Sequence, residues 1–322
     1  MRLNERFAGW AMCLGALTAT QVLTASHADA AVVNVTGTYA KPAKATGGQS
    51  YEGIYYGTRG GTGYTASVYT DTYVFDGAIV TGGDGADVSG TRTTTGPQAF
   101  QGGYGGLAVN LAPNPATLAQ RLTAVFNSGT YTGGNGGNAN VTGGPNSGGQ
   151  AGPALITGYY SMSTLNGGTF AGGTGGSAFG VSNGLRAYGI AVSGPMVVNG
   201  GTIAGLYVDD ANGKVEVHGG RFTTGTYTDG YTSFTAGLDI AGGGLVNVYG
   251  SNFSVDGMPV GPGVVALPSG TLRGVLENDT VASDISFING GTLNLINVPE
   301  PTSLGLLTAA GGLLTRRSRR RD

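Results

Sequence analysis

The chain has 322 residues and 64 of them are glycine, far above the ordinary share of about 7%, yet no strict G-x-y period runs through them, which excludes collagen. Formal charge is -2. Arg2 and Arg6 open the chain and Arg316, Arg317, Arg319, Arg320 and Arg321 close it, so the body between is mildly acidic and lacks the clustered positive charge that nucleic acid requires.

The N-terminus reads MRLNERFAGWAMCLGALTATQVLTASHADAAVV. Arg2 and Arg6 form a charged n-region, Phe7 to Ala25 is mostly apolar, and Ala28-Asp29-Ala30 places small residues where a signal peptidase reads. This predicts a secretory signal helix over 1–30 with cleavage after Ala30, marked by Ala28 and Ala30. Its removal takes away Cys13, the single cysteine, and His27. The mature chain then has no disulfide, no thiolate metal site and one histidine, His218.

Further along, TGGDGADV (Thr81–Val88) matches the G-G-x-G-x-D of calcium-binding nonapeptides. Those sites need tandem copies, because each ion lies between adjacent turns. No second copy is found and Ser89 replaces the expected apolar residue, so the stretch reads as a plain turn, and no metal or cofactor is expected. Asn114-Pro115 opens a predicted helix: Asn114 can cap, Pro115 suits the first helical position, and Leu118, Leu122 and Val125 share a face.

From Phe126 a short motif recurs, as FNSGTY (Phe126–Tyr131), LNGGTF (Leu165–Phe170), VNGGTI (Val198–Ile203), VHGGRF (Val217–Phe222), VYGSNF (Val248–Phe253) and INGGTL (Ile288–Leu293). An apolar residue, a polar one, two small ones, a polar one and an apolar one repeat at steps of uneven length, the signature of stacked coils. The body over 31–244 is therefore expected to be an all-β, Gly-rich parallel β-helix, a solenoid whose strands meet at corners only Gly or Asn accepts. The alternative is an antiparallel β-sandwich with each x-G-G-x as a hairpin turn. Between copies, Gly133–Gly152 is low-complexity and reads as a mobile loop.

The densest charge is YVDDANGKVEVHGGRF (Tyr207–Phe222). Lys214, Glu216 and His218 alternate with Val215 and Val217, so the polar groups share one strand face. Such a row, with Arg221 near, could line a sugar-binding groove; as a plain solvated strand face it needs no function. His218 is the one histidine available as a base and sits inside the repeat motif, which favours a turn-flanking role over catalysis.

Near the end, VNVYGSNFSVDG (Val246–Gly257), SGTLRGVL (Ser269–Leu276), ENDT (Glu277–Thr280) and SFINGGTLNLI (Ser286–Ile296) delimit a β module over 245–298. The tail follows: Pro299-Glu300-Pro301, an uncharged stretch Thr302–Thr315, then the Arg316–Arg321 cluster. As a helix that stretch rises only ~21 Å at ~1.5 Å per residue, against a hydrocarbon core of ~30 Å, and the positive-inside rule keeps the arginines cytoplasmic. The tail over 299–322 resembles the PEP-CTERM sorting signal of Gram-negative bacteria, and the module is similar to one often found directly before such tails.

The resemblance implies a short transmembrane-like helix, transient residence in the inner membrane, processing by an exosortase-type enzyme, and delivery to the cell surface or medium. It concerns address, not activity. The expectation is an exported structural or adhesive protein of the envelope or extracellular matrix, not an enzyme. Its partners would be signal peptidase, the exosortase-type enzyme and extracellular polysaccharide. A carbohydrate-active enzyme resembling polysaccharide lyases in fold is the alternative.

Overall fold

The computed structural model describes residues 31–40, 48–51, 54–66, 71–91, 99–111, 121–178, 184, 187–209, 211–228 and 233–299. The expected signal helix with Ala28 and Ala30, and the tail from Glu300 through Pro301 to Arg316, Arg317, Arg319, Arg320 and Arg321, lie outside them. Of the sorting motif only Pro299 is described, exposed just after the last strand.

The described chain is all-β and its sheets are mostly parallel. The first sheet takes Val32–Val35, Thr72–Phe75, Leu122–Phe126, Ser161–Leu165, Pro195–Val198, Lys214–Val217, Leu245–Val255 and Thr292–Asn297, each parallel to the next. The second takes Thr38–Ala40, Ala78–Thr81, Gly129–Thr132, Thr169–Ala171, Thr202–Ala204 and Arg221–Thr223. The third runs from Tyr64–Thr65 through Val109–Leu111, Leu155–Thr157, Ile190–Val192, Leu206–Val208 and Leu238–Ile240 to Ala282–Asn289. The chain visits the first, second and third sheets in turn, then begins again one strand further on. At the C-terminal end Ser269–Leu276 pairs antiparallel with both Leu245–Val255 and Ala282–Asn289, which closes the first and third sheets into one hydrogen-bonded circuit.

Alternation within each strand decides what faces in. In the first sheet Val35, Phe75, Phe126, Leu165, Val198 and Val217 stand in register, all buried. Phe75 stacks on Phe126 at 4.5 Å and Tyr131 on Phe170 at 4.7 Å, and the two pairs meet edge to face at 5.2 Å between Phe126 and Tyr131. Burying each such ring contributes about 2–3 kcal/mol, and no single rung could bury it alone.

The repeat motif is the corner between the first and second sheets. Its second glycine turns the chain: Gly168, Gly201 and Gly220 have φ of 97°, 98° and 107°, a region that L side chains rarely adopt. Its first glycine makes room, because a Cβ on Gly167, Gly200 or Gly219 would lie 2.5–2.7 Å from a carbonyl oxygen of the preceding rung. The polar residue before them stacks into a ladder: Asn166 Nδ2 donates to Asn127 Oδ1 and Asn199 Nδ2 to Asn166 Oδ1, each at 2.9 Å. Phe75-Asp76-Gly77 is a further corner, with Ser128 Oγ donating to Asp76 at 2.6 Å. Two of the sequence copies are not corners of this kind. VYGSNF runs straight through within Leu245–Val255, and INGGTL joins the third sheet back to the first.

Two expectations are corrected. Leu122 and Val125 lie in a strand, not on a helix, with Leu122 buried and Val125 facing outward; Asn114, Pro115 and Leu118 are outside the described residues. The strand instead turns Leu122, Ala124 and Phe126 inward at every second position, with neighbouring rungs supplying its hydrogen bonds. And Gly133–Gly152 is not a loose loop. It contains strands Ala139–Thr142 and Asn146–Ser147, and its glycines belong to a fin of extended glycine segments that lies between the second and third sheets along the chain.

In that fin the segments leaving the second sheet (82–87, 133–138, 172–177) alternate with segments returning to the third (60–63, 102–107, 148–153). Gly83 donates to Gly61, Gly106 to Gly83, Gly134 to Gly106, Gly152 to Gly134 and Gly173 to Gly152, all at 2.7–2.9 Å. A second zigzag links Ala86, Gly103, Gly137, Gly149 and Gly176 at 2.7–2.9 Å. The bonded residues recur every third position, the period of polyproline II. A Cβ on Gly134 would meet the Gly83 oxygen at 2.0 Å, and one on Gly137 the Ala86 oxygen at 1.9 Å. Glycine at these positions lets the backbones touch.

Candidate functional site

The charged row maps onto the sixth rung of the first sheet and the corner after it. Lys214 and Glu216 are exposed on alternate positions of Lys214–Val217, with Val215 and Val217 buried, as the alternation predicts. His218 is not on the strand. It occupies the corner position held by Asn127, Asn166 and Asn199 in earlier rungs, and its amide donates to the Val198 carbonyl at 2.8 Å.

The C-terminal module supplies the rest. Val217 pairs with Val248, which sets Tyr249 above His218, and the two rings stack at 4.2 Å with 13° between planes. The ENDT turn folds over them. His218 Nδ1 lies 2.5 Å from Glu277 Oε2 and Nε2 lies 3.7 Å from Glu216 Oε2, so the imidazole sits between two carboxylates. Asn278 donates its amide to the His218 carbonyl at 2.7 Å and its side chain to the Asn199 carbonyl at 3.3 Å, while the Gly220 amide donates to Asp279 Oδ2 at 3.3 Å. Tyr249 is held above the ordinary tyrosine value, by desolvation first and then by the Glu216 and Glu277 carboxylates.

Beside this cluster a groove of about 370 Å³ is lined by Gly200, Gly201, Gly220, Arg221, Asp279 and Thr280, among others. Arg221 and Asp279 face it, whereas Lys214 does not contribute to its lining. The arrangement can orient an imidazole and hold a proton between nitrogen and carboxylate at an open surface. Among the described residues no group of three or more His, Cys, Asp or Glu is placed to hold a metal ion. Asp84 and Asp87 of the nonapeptide-like stretch instead accept the Asn135 and Asn138 amides of the next rung, both at 2.7 Å.

Sequence reasoning found Glu216, His218 and Arg221 but missed Tyr249, Glu277 and Asp279 as their neighbours. Tyr249 was accessible, since aligning VHGGRF with VYGSNF puts His over Tyr. Glu277 and Asp279 carry no local signal, because 59 residues separate Glu277 from His218. No protein-family model, curated protein or solved structure matches this chain.

Proposed function

We propose that the protein is an exported, surface-directed structural or adhesive component of the cell envelope or extracellular matrix, built as a parallel β-helix and routed by its PEP-CTERM-like tail. One observation carries this reading: the stack fits between two expected cuts. The described strands run from Val32, two residues after the proposed signal cleavage, to Asn297, two residues before Pro299. Processing at either end would leave every described strand intact. Three parallel sheets visited in rotation support the β-helix reading, and polar residues repeated from strand to strand on the outer faces suit binding of polysaccharide or neighbours through many weak contacts.

The test is the intact mass of the protein recovered from host cell fractions and medium. Loss of residues 1–30 and of the region beyond Pro301, with the product outside the inner membrane, is the expected result. A full-length tail kept in the inner membrane would make it a simple anchor and remove the surface reading. Signal peptidase and an exosortase-type enzyme are the processing partners this reading requires.

The second reading, a carbohydrate-active enzyme, is favoured by the His218–Glu277–Tyr249 cluster beside the Arg221-lined groove. Incubation with acidic polysaccharides, read as new reducing ends, tests it. Activity that survives Glu277→Gln and His218→Ala would place the chemistry elsewhere.

A further inference from the structure

The outer face of the second sheet differs from the other two. Its first outward row reads Thr38, Ile79, Thr130, Thr169, Thr202 and Arg221 in register. Its second row, at positions 40, 81, 132, 171, 204 and 223, holds only alanine and threonine. The matching rows of the first sheet mix threonine with larger residues, Thr72, Thr123 and Met162 in one and Val74, Val125, Thr164, Val197 and Glu216 in the other, and the third sheet carries Asn110, Ile156, Ala191, Tyr207 and Asp239. β-propensity would accept any of these residues at an exposed strand position, so the predominance of Thr and Ala on the second sheet is not a demand of the strands. Small side chains keep this face level, and β-branched threonine holds its hydroxyl and methyl in few rotamers.

The same face continues onto the fin. Beyond the strands, Asp84, Asn135 and Thr174 form one further row and Asp87, Asn138 and Ser177 another. Each row is locked rung to rung: Asn135 Oδ1 accepts the Thr174 amide and hydroxyl, and Asn138 Oδ1 those of Ser177, at 2.7–2.8 Å. Aromatic rings are absent from these outward rows; Tyr131, Phe170 and Phe222 of the same strands point inward and are buried. The charges that do occur, Arg221, Asp84 and Asp87, lie at the margins of the threonine block.

We propose that this face binds ice, an activity independent of the export address. Parallel strands space the rungs ~4.8 Å apart. In tetrahedral water, O–H···O contacts of ~2.75 Å place second-neighbour oxygens ~4.5 Å apart. Across Thr130, Thr169 and Thr202 the two spacings drift by only about 0.6 Å in total. Hydroxyls at that interval can substitute for lattice oxygens, while the methyls shed the water between them. A glycan ligand would be met by ring-stacking aromatics, which this face lacks. Each contact is weak, and the array acts by being held rigid and repeated. The backbone lattice beneath the fin supplies that rigidity.

The experiment uses the mature protein purified from its host. Ice recrystallisation and crystal shape are followed at micromolar protein, for the parent, Thr130→Tyr, Thr169→Tyr and, on the first sheet's outer face, Met162→Tyr. The expected result is faceted growth and suppressed recrystallisation by the parent and by Met162→Tyr. The required concentration should rise roughly ten-fold or more for each threonine variant, with circular dichroism and melting unchanged. A parent without effect on ice overturns the proposal whatever the variants do. So does equal activity in folded threonine variants, or a parent that is inert on ice while binding insoluble β-glucan or self-associating through the threonine face. None of these outcomes bears on the mass of the exported product, so this proposal and the export reading fail separately.

Discussion

Thr157 is fully buried in the third sheet between Leu111 and Val192, and its hydroxyl finds no hydrogen-bond partner among the described residues. A buried unsatisfied hydroxyl costs about 1–3 kcal/mol. Thr157→Val, which keeps the shape, should therefore raise stability by about 1 kcal/mol, measured as a higher urea midpoint at unchanged slope; a lower midpoint would mean the hydroxyl is satisfied in solution. Asp239 behaves in the opposite sense. Burial raises its carboxyl above the usual range, and the hydrogen bond from Tyr188 only partly offsets this. The folded state thus favours the neutral form, so this contribution is fully present below the unfolded value of about 3.9 and is lost as pH rises through the raised folded value. Asp239→Asn stays neutral throughout. It should melt higher than the parent at pH ~7, with the gap closing at pH ~3; a variant that melts lower at neutral pH would show the Tyr188 contact to dominate.

Elements in this chain are defined by glycine in two distinct ways. At the corners one glycine is needed for its positive φ and the other for the close approach of a carbonyl, and both needs were legible in N-G-G-T. In the fin the need is space alone. Gly134→Ala, whose Cβ would sit 2.0 Å from the Gly83 oxygen, should destabilise by about 3 kcal/mol or more, because two backbones and not a flexible side chain must move. Gly242→Ala, with nothing within 4 Å of the new Cβ, should fall between neutral and about 1 kcal/mol stabilising. Thermal melts of the pair decide the matter, and equal melting temperatures would dissolve the lattice account. The fin was readable in principle. GGDGAD, GGNGGN and GGTGGS at 82–87, 133–138 and 172–177 share a three-residue period. Their spacing equals that of the corners at Asp76, Asn127 and Asn166, which assigns each run to a rung. Glycine-rich composition read by itself suggests looseness, because it counts lost side-chain contacts and not the backbone contacts their absence permits.

For the whole molecule, stability rests on stacked apolar rows and main-chain hydrogen bonds. Ion pairs such as those of His218 with Glu216 and Glu277 and of Arg273 with Asp284 lie at or near the surface, where such pairs contribute about 0–1 kcal/mol. Melting should therefore change by no more than a few degrees between about 0.05 and 1 M sodium chloride. A steep fall with salt would show that electrostatic contacts contribute more than these surface pairs.

The corner motif, the inward apolar alternation and the β-rich class were determined by local sequence, since φ limits and side-chain periodicity act over a few residues. The signal-like start and the PEP-CTERM-like tail are also local patterns, and they remain proposals about address. Only the tertiary structure decided that Leu122–Phe126 is a strand, that Gly133–Gly152 is packed, and that Glu277 comes to His218. Each of these depends on a neighbouring rung that lies tens of residues away along the chain. The register of a stack is set by the sum of its rungs, and no single window of sequence contains that sum.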